Sequence, residues 1–159
     1  METYVLYKDG RLSCDIFGLA YYIWDDGISL SYFKSDVDVN DSDEISLSWD
    51  KWIDNPEWDS SDKFKEHIYI ERMSPSNITV PKLRNKATLL TIENIYLIEV
   101  AEDAVIMDIR AYKRLVYYLS KELDGIVYLP SEDRLLNCTD YYQVNKSIIN
   151  LAFTRDVTN

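Results

Sequence analysis

Histidine occurs once in this chain, at position 67, and cysteine twice, at 14 and 138. Two thiols are too few for a disulfide framework, and their separation rules out a metal knuckle, so both are expected free and reduced in cytoplasm. His67 alternates with neighbours in a strand-like run instead of standing beside a nucleophile motif, so a structural role is expected for it. There are only four glycines, none of them in a phosphate-cradling loop or a Gly-x-Ser-x-Gly elbow, and neither cysteine has a histidine nearby in sequence. Acyl transfer and nucleotide chemistry are therefore unsupported, and no enzymatic activity and no cofactor are expected. Long apolar runs are missing as well. The longest, Ile16 to Trp24, is half of the roughly 18 residues needed to cross a bilayer. Met1-Glu2 opens no basic leader, so neither export nor membrane insertion is expected.

What the chain does have is negative charge, and it is unevenly placed. Of the 28 acids among 159 residues, twelve lie between Asp25 and Asp62, where Lys34 and Lys51 are the only bases; the remainder of the chain is nearly neutral. Three of the four tryptophans, Trp49, Trp52 and Trp58, fall in the same segment. A field of that sign draws cationic surfaces and repels phosphate, which disfavours direct nucleic-acid binding. The segment also carries the hard oxygens that calcium prefers. An EF-hand loop begun at Asp36, however, puts Asp41 where glycine is required and Leu47 where a bidentate glutamate is required. No metal is expected there, with a looser calcium site left open.

With 47% hydrophobic and 13% aromatic residues the chain can bury a core, and 159 residues suit one domain. The expected class is α+β: a mainly antiparallel sheet with one or two helices packed near the C-terminus, and a long acidic loop at about 35–62. Thr3 to Tyr7 reads as a strand, with Asp9-Gly10 as a hairpin turn into a second strand at Ile16 to Trp24. A third strand follows at Ile28 to Phe33 after Asp26-Gly27. Further strands are expected at Glu44 to Trp49, His67 to Arg72 and Ile126 to Leu129, with Arg134 to Asn137 pairing back on the last, and a strand or a bent pair of strands at Leu89 to Val100. Ile109, Tyr112, Val116, Leu119 and Leu123 recur at helical spacing, so a helix is expected at about 109–123, capped by Asp108 and stopped at Gly125. Its bases Arg110, Lys113, Arg114 and Lys121 read as an exposed face. A last helix is expected at about 140–153.

The helix-to-strand step over Leu115 to Leu136, with Leu123-Asp124-Gly125-Ile126-Val127-Tyr128 at its centre, resembles that of the small acidic α+β immunity proteins of bacterial toxin systems, including contact-dependent inhibition and polymorphic toxins. The resemblance implies a one-to-one complex with a cognate toxin and no chemistry of the chain's own. A nuclease toxin holds phosphate with lysine and arginine, so an acidic surface with aromatic anchors would find it quickly and exclude its substrate. The partner-binding residues expected on this reading are Asp36, Asp38, Asp41, Asp43, Glu44, Trp49, Asp50, Trp52, Asp54 and Trp58. Readings of other kinds are a DNA mimic occupying a DNA-binding protein, an unrecognised hydrolase, and an accessory subunit whose acidic loop is only solvated. Exposed edge strands leave a homodimer open.

Overall fold

A computed structural model of the chain describes residues 1–24, 38–48, 67–102 and 104–152. Among these, six strands form one antiparallel sheet: β1 (Glu2–Tyr7), β2 (Glu44–Leu47), β3 (Ile68–Met73), β4 (Asn94–Glu99), β5 (Ile126–Leu129) and β6 (Arg134–Leu136). Their order across the sheet is β2-β3-β4-β1-β5-β6. Four α-helices complete the described fold: α1 (Ile16–Trp24), α2 (Pro81–Leu89), α3 (Ile106–Glu122) and α4 (Cys138–Ile149). This is the expected α+β class, with α3 and α4 near their expected positions and the β5–β6 pairing as read.

Three expectations are corrected. Ile16–Trp24 is a helix, not a strand. Its buried residues Ile16, Leu19, Ala20, Ile23 and Trp24 fall at helical spacing, and Asp15 caps its start by accepting the Gly18 N–H at 2.8 Å. Hence β1 has no sequential hairpin partner; it lies in the middle of the sheet between β4 and β5. The apolar stretch Leu89 to Val100 is neither one strand nor a bent pair, because Leu89 ends α2 and only Asn94–Glu99 joins the sheet. Asp108 is not the cap of α3; it lies buried in the first turn, and Val105 occupies the cap. The strand read at Ile28 to Phe33 lies outside the described residues.

Side-chain alternation gives the sheet two different faces. Val5, Tyr7, Ile45, Leu47, Ile68, Ile70, Tyr96, Ile98 and Val127 point to one side, where α1, α3 and α4 build the large core. Tyr4, Leu6, Ile95 and Tyr128 point to the other, where α2 covers them with Leu83 and Ala87, and Ile78 adds to the cluster. At the end of α3, Asp124 takes the left-handed conformation at φ 47° and the Gly125 N–H reaches back to the Ser120 carbonyl at 2.8 Å. Glycine at 125 serves close approach: a Cβ there would stand 2.9 Å from Val5 Cγ1 and 3.2 Å from the Leu6 carbonyl oxygen.

Candidate functional site

The α2 side of the sheet is only partly covered. From the pairing registers, one row across the strands reads Glu44, Glu71, Leu97, Tyr4, Tyr128 and the next reads Ser46, Tyr69, Glu99, Glu2. The tyrosine end of the first row is buried under α2. The β2-β3 corner is open: Glu2, Glu44, Glu71 and Glu99 are exposed, and Tyr69 retains 52% of its surface. Glu44 stands directly opposite Glu71, and Glu2 directly opposite Glu99. Like charges in directly opposed positions destabilise a sheet. None of the four has an ion-pair partner among the described residues. Their field reaches Tyr4, whose hydroxyl is pushed up to about 12, first by burial and then by Glu2, Glu99 and Glu71 in turn.

Of the ten residues expected to bind a partner, Asp36, Trp49, Asp50, Trp52, Asp54 and Trp58 lie outside the described residues. Glu44 lies on the open face. Asp38, Asp41 and Asp43 are engaged by the chain's own arginines. Arg11 Nη2 donates to both carboxylate oxygens of Asp41, at 3.1 and 3.0 Å, and stands 3.9 Å from Asp38. Arg72 stands 3.6 Å from Asp43 and donates to the Asn40 carbonyl. Asn40 in turn clasps Leu12, accepting its N–H at 2.7 Å and donating to its carbonyl at 3.2 Å. The Asn40 amide, bound to Asp38 Oδ1 at 2.8 Å, is the main cause holding that carboxyl below its usual range, and Arg11 adds to it. This knot fastens the approach to β2, which leaves the sheet-face glutamates as the unpaired acids beside it. Charge density does not single out Glu2, Tyr69, Glu71 or Glu99; the alternation of Tyr69 and Glu71 with buried Ile68 and Ile70 marks those two in the sequence, whereas Glu2 and Glu99 join them only through the strand registers.

The expected basic face of α3 is absent for a physical reason. Arg110 is fully buried; its Nη2 donates to the Trp24 carbonyl at 2.9 Å and its Nη1 to the Leu151 carbonyl at 3.0 Å. Arg114 Nε donates to the Ile149 carbonyl at 2.8 Å and its Nη1 to the Ile23 carbonyl at 3.4 Å. The two arginines thus neutralise the negative C-terminal ends of α1 and α4. Lys113 is half-buried, its ammonium 5.3 Å from the centre of the Tyr112 ring, and burial lowers its pKa. Only Lys121 is exposed. On α2, Lys82 and Lys86 each stand 3.4 Å from Asp133. Among the described residues, none of these cations forms an ion pair with the glutamates of the open face.

His67 precedes β3 on the open side, with Nδ1 3.0 Å from Ser46 Oγ and its ring 6.0 Å from that of Tyr69. The surface hollows beside the face hold carboxylates without His67. Both cysteines are free and partly buried; the Tyr118 hydroxyl donates to Cys14 Sγ at 3.1 Å, and burial raises the Cys14 pKa. Among the described residues no three histidine, cysteine or acidic side chains converge to hold a metal ion, and no helix is long and apolar enough to cross a membrane. No protein-family model, curated protein or solved structure matches the chain.

Proposed function

We propose that this chain is an acidic inhibitor, an immunity protein in the sense of bacterial toxin systems, which binds a basic protein domain such as a nuclease and blocks it by charge complementarity. The open sheet face, with Glu44 and Glu71 opposed, Glu2 and Glu99 opposed, and Tyr69 between them, is the surface assigned to this role. The observation that carries the reading is the pairing of like charges in register. Four carboxylates in opposed positions, none of them ion-paired among the described residues, work against folding, and a cationic partner turns that repulsion into attraction. Tyr69 supplies the half-exposed aromatic that interfaces use as an anchor. The acids and tryptophans between residues 49 and 59 extend the same chemistry in sequence.

Affinity capture from the source cell's lysate at low salt, eluted by a salt gradient and read by mass spectrometry, tests this. The expected result is one basic protein that leaves as salt rises, and that is not retained when Glu71→Lys replaces the wild-type chain. Retention of acidic or neutral proteins alone, or equal retention by Glu71→Lys, contradicts it.

A further inference from the structure

The connection from β3 to β4, residues 74–93, contains α2 and lies over one side of the sheet. Among the described residues, every buried member of the second core cluster that is not on a strand comes from this one segment: Ile78, Leu83, Ala87 and Ile92. Its two ends run into strands that pair with each other, Met73 standing opposite Ile95. The segment can therefore lift from the sheet, as far as Glu93 where the N–H donates to the Tyr7 carbonyl at 3.2 Å, without breaking a strand pairing.

The segment is tied together more firmly than it is tied down. Internally, Arg84 Nε donates to the Ile78 carbonyl at 3.1 Å and the Ile92 N–H to the Ala87 carbonyl at 3.0 Å, which joins 78–92 into one unit. Among the described residues, its side chains make polar contact with the rest of the molecule around Asp133 alone, which Lys82 and Lys86 each approach to 3.4 Å, with Lys86 also 5.9 Å from the centre of the Tyr128 ring. Ion pairs this open to water contribute little. The helix itself is weak. It has nine residues, fewer than the roughly 12–15 that an isolated helix needs. No side chain caps its start, and its first turn carries Lys82 and Arg84 without an acid, against the helix dipole. Just beyond its end Thr91 holds the left-handed conformation at φ 54°, which glycine adopts freely and a β-branched residue adopts under strain.

We infer that the 74–93 connection is a displaceable cover, which opens as a unit while the sheet stays formed and thereby sets how much of the acidic face is open. Its use rests on the inhibitor reading, to which it adds a regulation of the same surface. The row that begins with Glu44 and Glu71 continues through Leu97, Tyr4 and Tyr128 beneath the segment. Opening lengthens the face by a leucine and two phenol rings, aromatic anchors next to carboxylates. Closing keeps that apolar surface from water when no partner is bound.

Backbone amide hydrogen exchange in the full chain, followed by NMR at urea concentrations below unfolding, tests the opening without a partner. Amides of residues 84–92 are expected to show protection at least about 100-fold below that of β1 and β4, with little dependence on urea, as local openings do. Asp133→Asn keeps an acceptor for the Tyr128 hydroxyl and removes both ion pairs, and should lower protection in α2 about three-fold. Thr91→Gly relieves the left-handed strain and should raise it about three-fold. In low-salt capture of a basic protein from lysate, retention should rise with Asp133→Asn, despite the lost negative charge, and fall with Thr91→Gly. Equal protection in α2 and β1 with the same urea dependence overturns the cover, because the segment then opens only when the whole chain unfolds. Local opening with retention unmoved by Thr91→Gly overturns its control of the face. If Glu71→Lys retains the basic protein as the parent does, the inhibitor reading fails while the measured opening stands.

Discussion

At the scale of single residues, the fold depends on polar groups placed where their sequence neighbours give no hint of their role. Arg110 sits among apolar positions of α3 and is fully buried because the ends of α1 and α4 converge on it. Replacing it by methionine keeps much of the volume and leaves carbonyls without donors, at a cost of roughly 3 kcal/mol. Urea unfolding of Arg110→Met checks this, with exposed Lys121→Met expected within about 0.5 kcal/mol of the parent. Gly125→Ala forces a methyl into contact with Val5 and the Leu6 carbonyl and should destabilise by about 1–3 kcal/mol. The sequence marks Arg110 only as one of several cations on a predicted helix. What buries it is the meeting of chain segments far apart in sequence, which no local pattern encodes. For the same reason Asp41 and Asp43 read as free acids although Arg11 and Arg72 lie beside them.

At the scale of elements, legibility follows how strong the local period is. The step of three and four in α3 and the return of Arg134 to Asn137 onto the strand at Ile126 to Leu129 are readable in the sequence, and both form. The helix at Ile16–Trp24 carried an equally good signal in Ile16, Leu19, Ala20, Ile23 and Trp24, but its branched and aromatic content reads as strand, and the spacing together with Asp15 decides the matter. Asp15→Ala removes the cap and should cost about 1 kcal/mol, measured as a lowered urea midpoint with unchanged slope. Helix α2 buries only Leu83 and Ala87, so its sequence has little period to show, and Pro81 at its first position is its clearest mark. It is fastened to the sheet by Asp133, which accepts from the Tyr128 hydroxyl at 3.0 Å and faces Lys82 and Lys86. The Tyr128 hydrogen bond is the largest cause holding the Asp133 carboxyl below its ordinary value, with Lys82 and Lys86 adding to it. A depressed carboxyl contributes stability that is present above its unfolded-state pKa and lost as pH falls through the folded one. Thermal melts across the acid range should therefore show a loss in the parent that is smaller in Asp133→Asn, whose stability at neutral pH is already lower.

At the scale of the molecule, the acids form two groups, a stretch of sequence that carries nearly all of the formal net charge of −11 and a sheet face whose glutamates outside that stretch are balanced in number by bases elsewhere in the chain, and only the first is visible without a fold. Composition alone leads to the proposal of a cationic partner. The strand registers were needed to find that Glu2 and Glu99, 97 residues apart in the chain, stand side by side. Their repulsion has a consequence for folding: Glu71→Gln or Glu99→Gln should raise stability by about 0.2–1 kcal/mol while weakening the partner. A surface maintained at the expense of stability is expected where binding is selected.

The most direct test of this account is retention of a basic partner on immobilised chain at low salt, compared between Glu71→Lys and Glu93→Lys. The two substitutions change net charge equally, and Glu93 is exposed but lies outside the two rows of the open face. The account predicts that Glu71→Lys loses the partner and Glu93→Lys keeps it. Equal behaviour of the two would show that only total charge matters and would contradict the assignment of the open sheet face as the binding surface.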